Sequence, residues 1–380
     1  ILVNDLEPIW RRPKSEIHPK AMNEFYREFY KDVSDPLFWI KFESIDIGIR
    51  GIIFFRDTKN GTAEIDGSFK IYNRGVYVGE NIKELIPKFV NLQSGIIECD
   101  NLPLIVSRST IQEKEKQDDM VSLIYESLTQ EVTIAMNDLF ENHRDRYEKF
   151  WPHLNAFVKY GILQDKIFAS VMTQKVIFQD IYGKYQTIKE YINDESNNHK
   201  ETVYYTSDPI EQAHYIEIFK KCHLNALLFD HVIDQPFMRR QELVRPNTKF
   251  VRIDSNIKSL FNGFVTDEDT PKIEVLTQKI CNSIGNRLGK MELKITNLEY
   301  EHISTLIIND ENYRRMTDML EIYGFIKETD KVMKAMHSKS TLLVNLNNDI
   351  IQFVLNSDDM EEYGLIINHL FDLALMGQGR

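Results

Sequence analysis

The chain has 380 residues, 42% hydrophobic and 27% charged, which is material for two or three soluble cores. A formal net charge of −12 argues against nucleic acid and anionic lipid as partners, and neither is expected. Three scattered cysteines, Cys99, Cys222 and Cys281, form no Cys-x-x-Cys pair; they argue against a disulfide framework and for a reducing, cytoplasmic setting.

No run approaches membrane-spanning length, and Ile1 opens no signal-peptide pattern. A chain that starts on Ile1 rather than methionine reads as an excised piece of a longer protein. Its first segment holds Pro8-Ile9-Trp10-Arg11-Arg12-Pro13, extended because the residue before each proline is pushed away from helix. Residues 23–30 (NEFYREFY) predict a short helix with an aromatic face, and Asp35-Pro36-Leu37-Phe38-Trp39 follows. From 45 to 80 apolar and polar residues alternate, predicting strands at Ile52-Ile53-Phe54-Phe55, Phe69-Lys70-Ile71-Tyr72 and Val76-Tyr77-Val78. Lys59-Asn60-Gly61-Thr62 reads as a hairpin turn in preference to a glycosylation site.

The stretch 80–112 is the most informative. Ile82, Leu85, Ile86, Phe89 and Val90 stand at helical spacing, predicting an amphipathic helix that Pro87 kinks or breaks. Gly95-Ile96-Ile97 is apolar, Cys99-Asp100-Asn101 signals a turn, and Leu102-Pro103-Leu104-Ile105-Val106-Ser107 leads to Arg108. On residue chemistry alone, Arg108 either pairs with one of many carboxylates or is held out toward a phosphate.

The run ELIPKFVNLQSGIIECDNLPLIVSRSTIQ resembles the middle-domain signature of the ninety-kilodalton heat-shock chaperone family, bacterial HtpG type. In that family a Leu-Pro-Leu-Asn-Val-Ser-Arg run ends in an arginine that reaches the γ-phosphate of ATP bound in a separate N-terminal domain. The resemblance therefore implies that Arg108 contacts the γ-phosphate and that Gln112 supports its loop, with Ile105 and Ser109 departing from the pattern. Pro8-Ile9-Trp10-Arg11 and Asp35-Pro36-Leu37-Phe38-Trp39 resemble the family as well, and its Arg-Val-Phe motif stands here as Arg74-Gly75-Val76-Tyr77.

Residues 109–193 read as helices, and Phe150-Trp151-Pro152 with Tyr160-Gly161 resembles the family's helical connector. Between 201 and 253, strands at Val203-Tyr204-Tyr205 and Ala226-Leu227-Leu228-Phe229 flank a helix, a parallel arrangement. His231 and Asp234 have no third ligand nearby, so no metal is expected. The family's client-contacting region falls on Phe237 and Met238, where Pro236 replaces a tryptophan. Residues 254–270 are acidic and polar, a predicted linker, and 271–380 is the expected dimerisation domain.

In that last part Met316, Met319, Leu320 and Tyr323 form a stripe. It is either an ordinary core face or, as the resemblance implies, a client-binding helix suited to many partners. The last helix, 361–376, is apolar nearly all round, and Ile366, Ile367, Leu370 and Phe371 are the expected dimer contacts.

The resulting fold class is α/β (α+β). It has a middle domain at 1–253, made of a large α/β part (1–125), a helical connector (126–200) and a small α/β part (201–253), then a mixed α/β dimerisation domain at 271–380, which the resemblance implies is truncated. No GxxxxGK[ST], HExxH or GxSxG motif is present, and nothing resembles the family's nucleotide-binding domain. Alone, the chain is expected neither to bind nor to hydrolyse ATP; ATP with Mg belongs to the full-length protein. The expected function is an ATP-dependent homodimeric chaperone for partly folded clients. The alternative is an ATP-independent dimeric scaffold. Related transducer domains of type-II topoisomerases and mismatch-repair ATPases usually end the arm in lysine on a more basic surface.

Overall fold

In the computed structural model, five strands in the first third of the chain form one sheet in the order β1-β2-β5-β3-β4. The structure describes residues 7–56, 67–82, 84–100, 102, 116–194, 201–255, 265–298, 300–310, 315 and 340–377. The strands are β1 (Phe38–Ser44), β2 (Ile49–Phe55), β3 (Phe69–Asn73), β4 (Val76–Glu80) and β5 (Ser94–Cys99). β2 pairs antiparallel with β1 and β5, while β3 runs parallel to β5. The alternation predicted over 45–80 is what places successive side chains on opposite faces.

Adjacent residues of β2 show this. Phe54 packs 5.0 Å from the Tyr26 ring of α1 (Pro19–Tyr30), whereas Phe55 meets Phe157 of α3 (Arg144–Gln164) edge-on at 5.5 Å. On the first face Trp10, Ile17, Met22, Tyr26, Phe54 and Ile96 form one core. The second face is covered by α2 (Lys116–Asn142), α3 and α4 (Lys166–Met172), with Phe89 between Phe157 and Phe168.

The helix predicted from residue 80 does not form. A single 3-10 turn at Val90–Leu92 is all that the spacing yields there, although Leu85, Ile86, Phe89 and Val90 are buried as an apolar face should be. Pro87 has no N–H to propagate a helix, and the turn bonds on either side of it, Leu85 N to Ile82 O and Asn91 N to Pro87 O, do not join into one.

The chain divides into two compact units, Ile1–Ile177 and Phe178–Arg380. A short β-ribbon, β6 (Ile177–Gln179) with β7 (Tyr185–Thr187), and α5 (Ile188–Asn193) precede a three-stranded parallel sheet in the order β10-β8-β9. Its strands are β8 (Thr202–Thr206), β9 (Leu227–Leu228) and β10 (Lys249–Arg252), joined through α6 (Ala213–Lys221) and α7 (Asp234–Val244). The parallel arrangement expected for 201–253 is present.

After α8 (Thr270–Leu288), the strands β11 (Glu292–Thr296), β12 (Thr305–Asn309) and β13 (Ser340–Asn345) form a sheet in the order β11-β13-β12. Two further helices, α9 (Asp349–Asn356) and α10 (Met360–Met376), close the described chain. The second sheet is buried on both faces. Ile307, Leu342 and Val344 join α8, α9 and α10 in one core, while Leu306, Ile308 and Leu343 join Tyr215, Ile218 and Phe219 of α6 in another. The predicted linker at 254–270 thus separates no cores. Asn309 N donates to Asp254 O at 3.1 Å, Ser255 forms a bridge with Asn309, and Tyr215 Oη donates to Ile307 O at 2.5 Å.

Candidate functional site

Arg108 and Gln112 lie outside the described residues, as do Met316, Met319 and Leu320. What the structure describes is the chain before that segment, residues 98–100 and 102, at and just after the end of β5. The hydrophobic strand brings the chain out of the core, and a group of cations fixes it there.

Glu98 is fully buried, facing the N-terminal segment. Its Oε2 accepts Trp10 Nε1 at 3.1 Å and Arg11 Nε at 2.8 Å, and a second Arg11 nitrogen bonds Oε1. Burial opposes the charge on Glu98, but the Arg11 hydrogen bonds and charge, with Trp10 and the Gly75 N–H, outweigh it and hold the carboxyl below its ordinary value. The same hydrogen bond to Glu98 raises the Arg11 guanidinium.

Two residues on, Asp100 forms an ion pair with Arg50 of β2 and its N–H donates to Gly48 O at 2.8 Å. The Asp100 carbonyl accepts Arg74 Nε at 2.8 Å, and Asn73 Nδ2 donates to Leu102 O at 3.1 Å. Arg74 and Gly75 connect β3 to β4 with φ of 49° and 81°, the positive pair of a two-residue type I′ hairpin. Gly75 is needed there twice over, because a Cβ on it would also stand 3.1 Å from the Arg11 guanidinium. Arg11 and Arg50 thus meet the carboxylates of Glu98 and Asp100, and Arg74 meets the Asp100 carbonyl, at the end of β5. Sequence reasoning singled out Arg74 but missed Arg11, Arg50, Glu98 and Asp100. The Arg-Gly pair between two strand patterns was the available signal for the hairpin.

The other predicted positions are corrected by burial. Phe237 and Met238 are 0% and 1% exposed, with Phe237 6.0 Å from the Phe178 ring, so they fill a core and offer no surface to a client. They lie on the inner face of α7, whose exposed apolar residues are Leu243 and Val244. On α10, Ile367, Leu370 and Phe371 are buried and Ile366 packs partly against the same core, so this face belongs to its own chain. The outward residues are Leu365, Leu373 and Met376. Among the described residues no group of three or more His, Cys, Asp or Glu is arranged to hold a metal. No described helix is long and apolar enough to cross a membrane.

The family model for the Hsp90 protein matches residues 1–379. The chaperone protein HtpG of Bacteroides fragilis is 27% identical over 375 residues, covering 95% of this chain and 53% of that protein. HtpG of Porphyromonas gingivalis is 27% identical over 372 residues, 94% of this chain and 52% of the relative. HtpG of Buchnera aphidicola is 24% identical over 398 residues, 99% and 60%. The chain spans about half the length of the first two relatives. Among solved structures, the middle domain of a Plasmodium falciparum heat shock protein superposes with a TM-score of 0.51 at 18% identity. It covers 66% of this chain and 100% of that one, a likeness of fold.

Proposed function

This chain belongs to the Hsp90 family, and from that membership we propose that it is the nucleotide-sensing and client-holding part of an ATP-dependent, cytoplasmic chaperone. The observation that carries the reading is the match over 379 residues, which includes the Leu102–Arg108 run departing from the braced end of β5. In this reading ATP with Mg is bound by another part of the protein. Arg108 meets the γ-phosphate when that part docks, and Gln112 supports the loop. A guanidinium suits the task because its planar fork matches phosphate oxygens and keeps its charge at any physiological pH.

Partly folded clients are held by exposed apolar side chains, with Met316, Met319 and Leu320 as the assigned contacts. Leu243 and Val244 take the place of Phe237 and Met238. Two copies join through the outward stripe of α10, Leu365, Leu373 and Met376.

The test is ATP turnover by the whole protein carrying Arg108→Ala. Loss of a cation that meets developing phosphate charge lowers kcat by at least about tenfold while KM for ATP changes little. An unchanged kcat removes the arginine from the mechanism, whereas no ATP turnover by the parent protein leaves the scaffold reading in its place.

A further inference from the structure

Helix α7 divides its residues by face. Phe237, Met238 and Gln241 are buried, while Pro236, Arg239, Arg240, Leu243 and Val244 lie at i, i+3, i+4, i+7 and i+8 along the opposite side. Leu243 and Val244 are 83% and 59% exposed, and Pro236 and Arg239 are exposed as well. Both acids of the helix are off this face. Asp234 is buried, and Glu242, two residues from Arg240 and so on another side of the helix, is taken by Arg315 at 2.9 Å. The outward stripe is therefore apolar and cationic, on a chain of net charge −12.

Within that stripe the fold leaves Arg240 uncommitted. Its Nε lies buried with no acceptor, and no carboxylate pairs with it among the described residues. A guanidinium N–H withdrawn from water without a partner is costly, and a carboxylate arriving at the fork offsets that cost. We propose that the outward face of α7 selects client segments that carry carboxylates beside apolar side chains. Arg240 meets the acid, and Leu243 and Val244 take the apolar part. The proposal rests on the reading of Leu243 and Val244 as client contacts and names the class of client they serve.

Arginine beside apolar side chains is the composition of protein contact surfaces, from which lysine is depleted. An anionic bilayer presents its charge to the whole acidic chain and is repelled by it, and two apolar side chains give it little to hold. A client segment brings only a few carboxylates, to this one face. Net charge alone gives the opposite sign, because a chain of −12 attracts a basic peptide and repels an acidic one. Selection by α7 therefore predicts glutamate over lysine where the field of the whole molecule predicts lysine over glutamate.

The experiment is fluorescence anisotropy of three labelled peptides titrated with the 380-residue chain, at physiological salt so that the long-range field is screened. All three carry leucine at i, i+3, i+4 and i+7, and the positions between are glutamate, glutamine or lysine. The glutamate peptide is expected to bind roughly two- to fivefold more tightly than the glutamine one, with the lysine peptide weakest. Arg240→Gln removes that preference and leaves the affinity of the glutamine peptide as it was, whereas Leu243→Ser with Val244→Ser weakens all three. Equal affinities in the parent, or the lysine peptide tightest, overturn the acidic preference and leave the client reading standing. If the Leu243→Ser, Val244→Ser chain binds every peptide as the parent does, or the parent binds none, the client reading of this face falls first. Sedimentation with phosphatidylserine vesicles that depends on Arg240 overturns the proposal in favour of a membrane surface. The ranking of peptides by the parent chain needs no variant to fold.

Discussion

At the scale of single residues, the buried carboxylate of Glu98 makes a pH prediction whose sign can be worked out. Its folded form ionises below the ordinary 4.5 because Arg11 and Trp10 outweigh burial. The unfolded state then binds more protons between the two values, so stability rises with pH across that window. The contribution is complete above about 4.5 and is lost as pH falls through the lowered folded value. Glu98→Gln is expected to flatten the acid limb of a melting-temperature profile taken from pH 7 to 3. It also lowers stability at pH 7 by about 3 kcal/mol, since Arg11 and Trp10 lose their charged partner. An acid limb as steep as the parent's would mean that another group titrates there. Nothing local in the sequence announces this pair. Arg11 and Glu98 are 87 positions apart, and no spacing rule connects them. The run leading to Arg108, by contrast, was legible as a motif because its meaning is local.

Secondary-structure elements were legible where one period dominated. Alternation marked β2 and β3, and the apolar residues of 361–376 marked α10. The 80–95 stretch failed because burial and helical spacing can coincide in a chain that packs turn by turn around Pro87. For α10 the sequence showed that the helix must be covered on more than one side but could not say which side faces its own chain. The structure divides the roles. Phe371 is 2% exposed and lies under the Arg287 guanidinium at 5.0 Å, whereas Leu365 and Met376 are 74% and 70% exposed. If the proposed dimer forms through this outward stripe, Leu365→Lys with Met376→Lys shifts solution mass from dimer to monomer at micromolar concentration, with the melting temperature of the monomer little changed. Phe371→Ala is expected to destabilise the fold by about 3–5 kcal/mol through the cavity it leaves. Light scattering that found the mass altered by Phe371→Ala and not by the lysine pair would return the dimer seam to the inner face.

For the whole molecule, the sequence placed a boundary at 254–270 because that stretch is acidic and polar, and such composition reports exposure rather than a division between cores. The division at Ile177 and Phe178 passes through a strand, where no loop composition could mark it. Within the second unit, Leu306, Ile308 and Leu343 turn one face of the β11-β13-β12 sheet toward α6, joined by Leu298 and Ile303. Cutting the chain at the predicted linker would expose all five. At about 1.5–3 kcal/mol for each apolar side chain, the loss is on the order of 10 kcal/mol, comparable with the entire stability of an ordinary domain. Residues 271–380 produced alone are accordingly expected to show no cooperative thermal transition by circular dichroism, while 178–380 melts in one step. Helix-rich ellipticity surviving without a transition would fit a loosely packed α8, α9 and α10. A sharp transition in 271–380 near that of the longer piece would show that the α6 face adds nothing, and would restore the boundary that composition suggested.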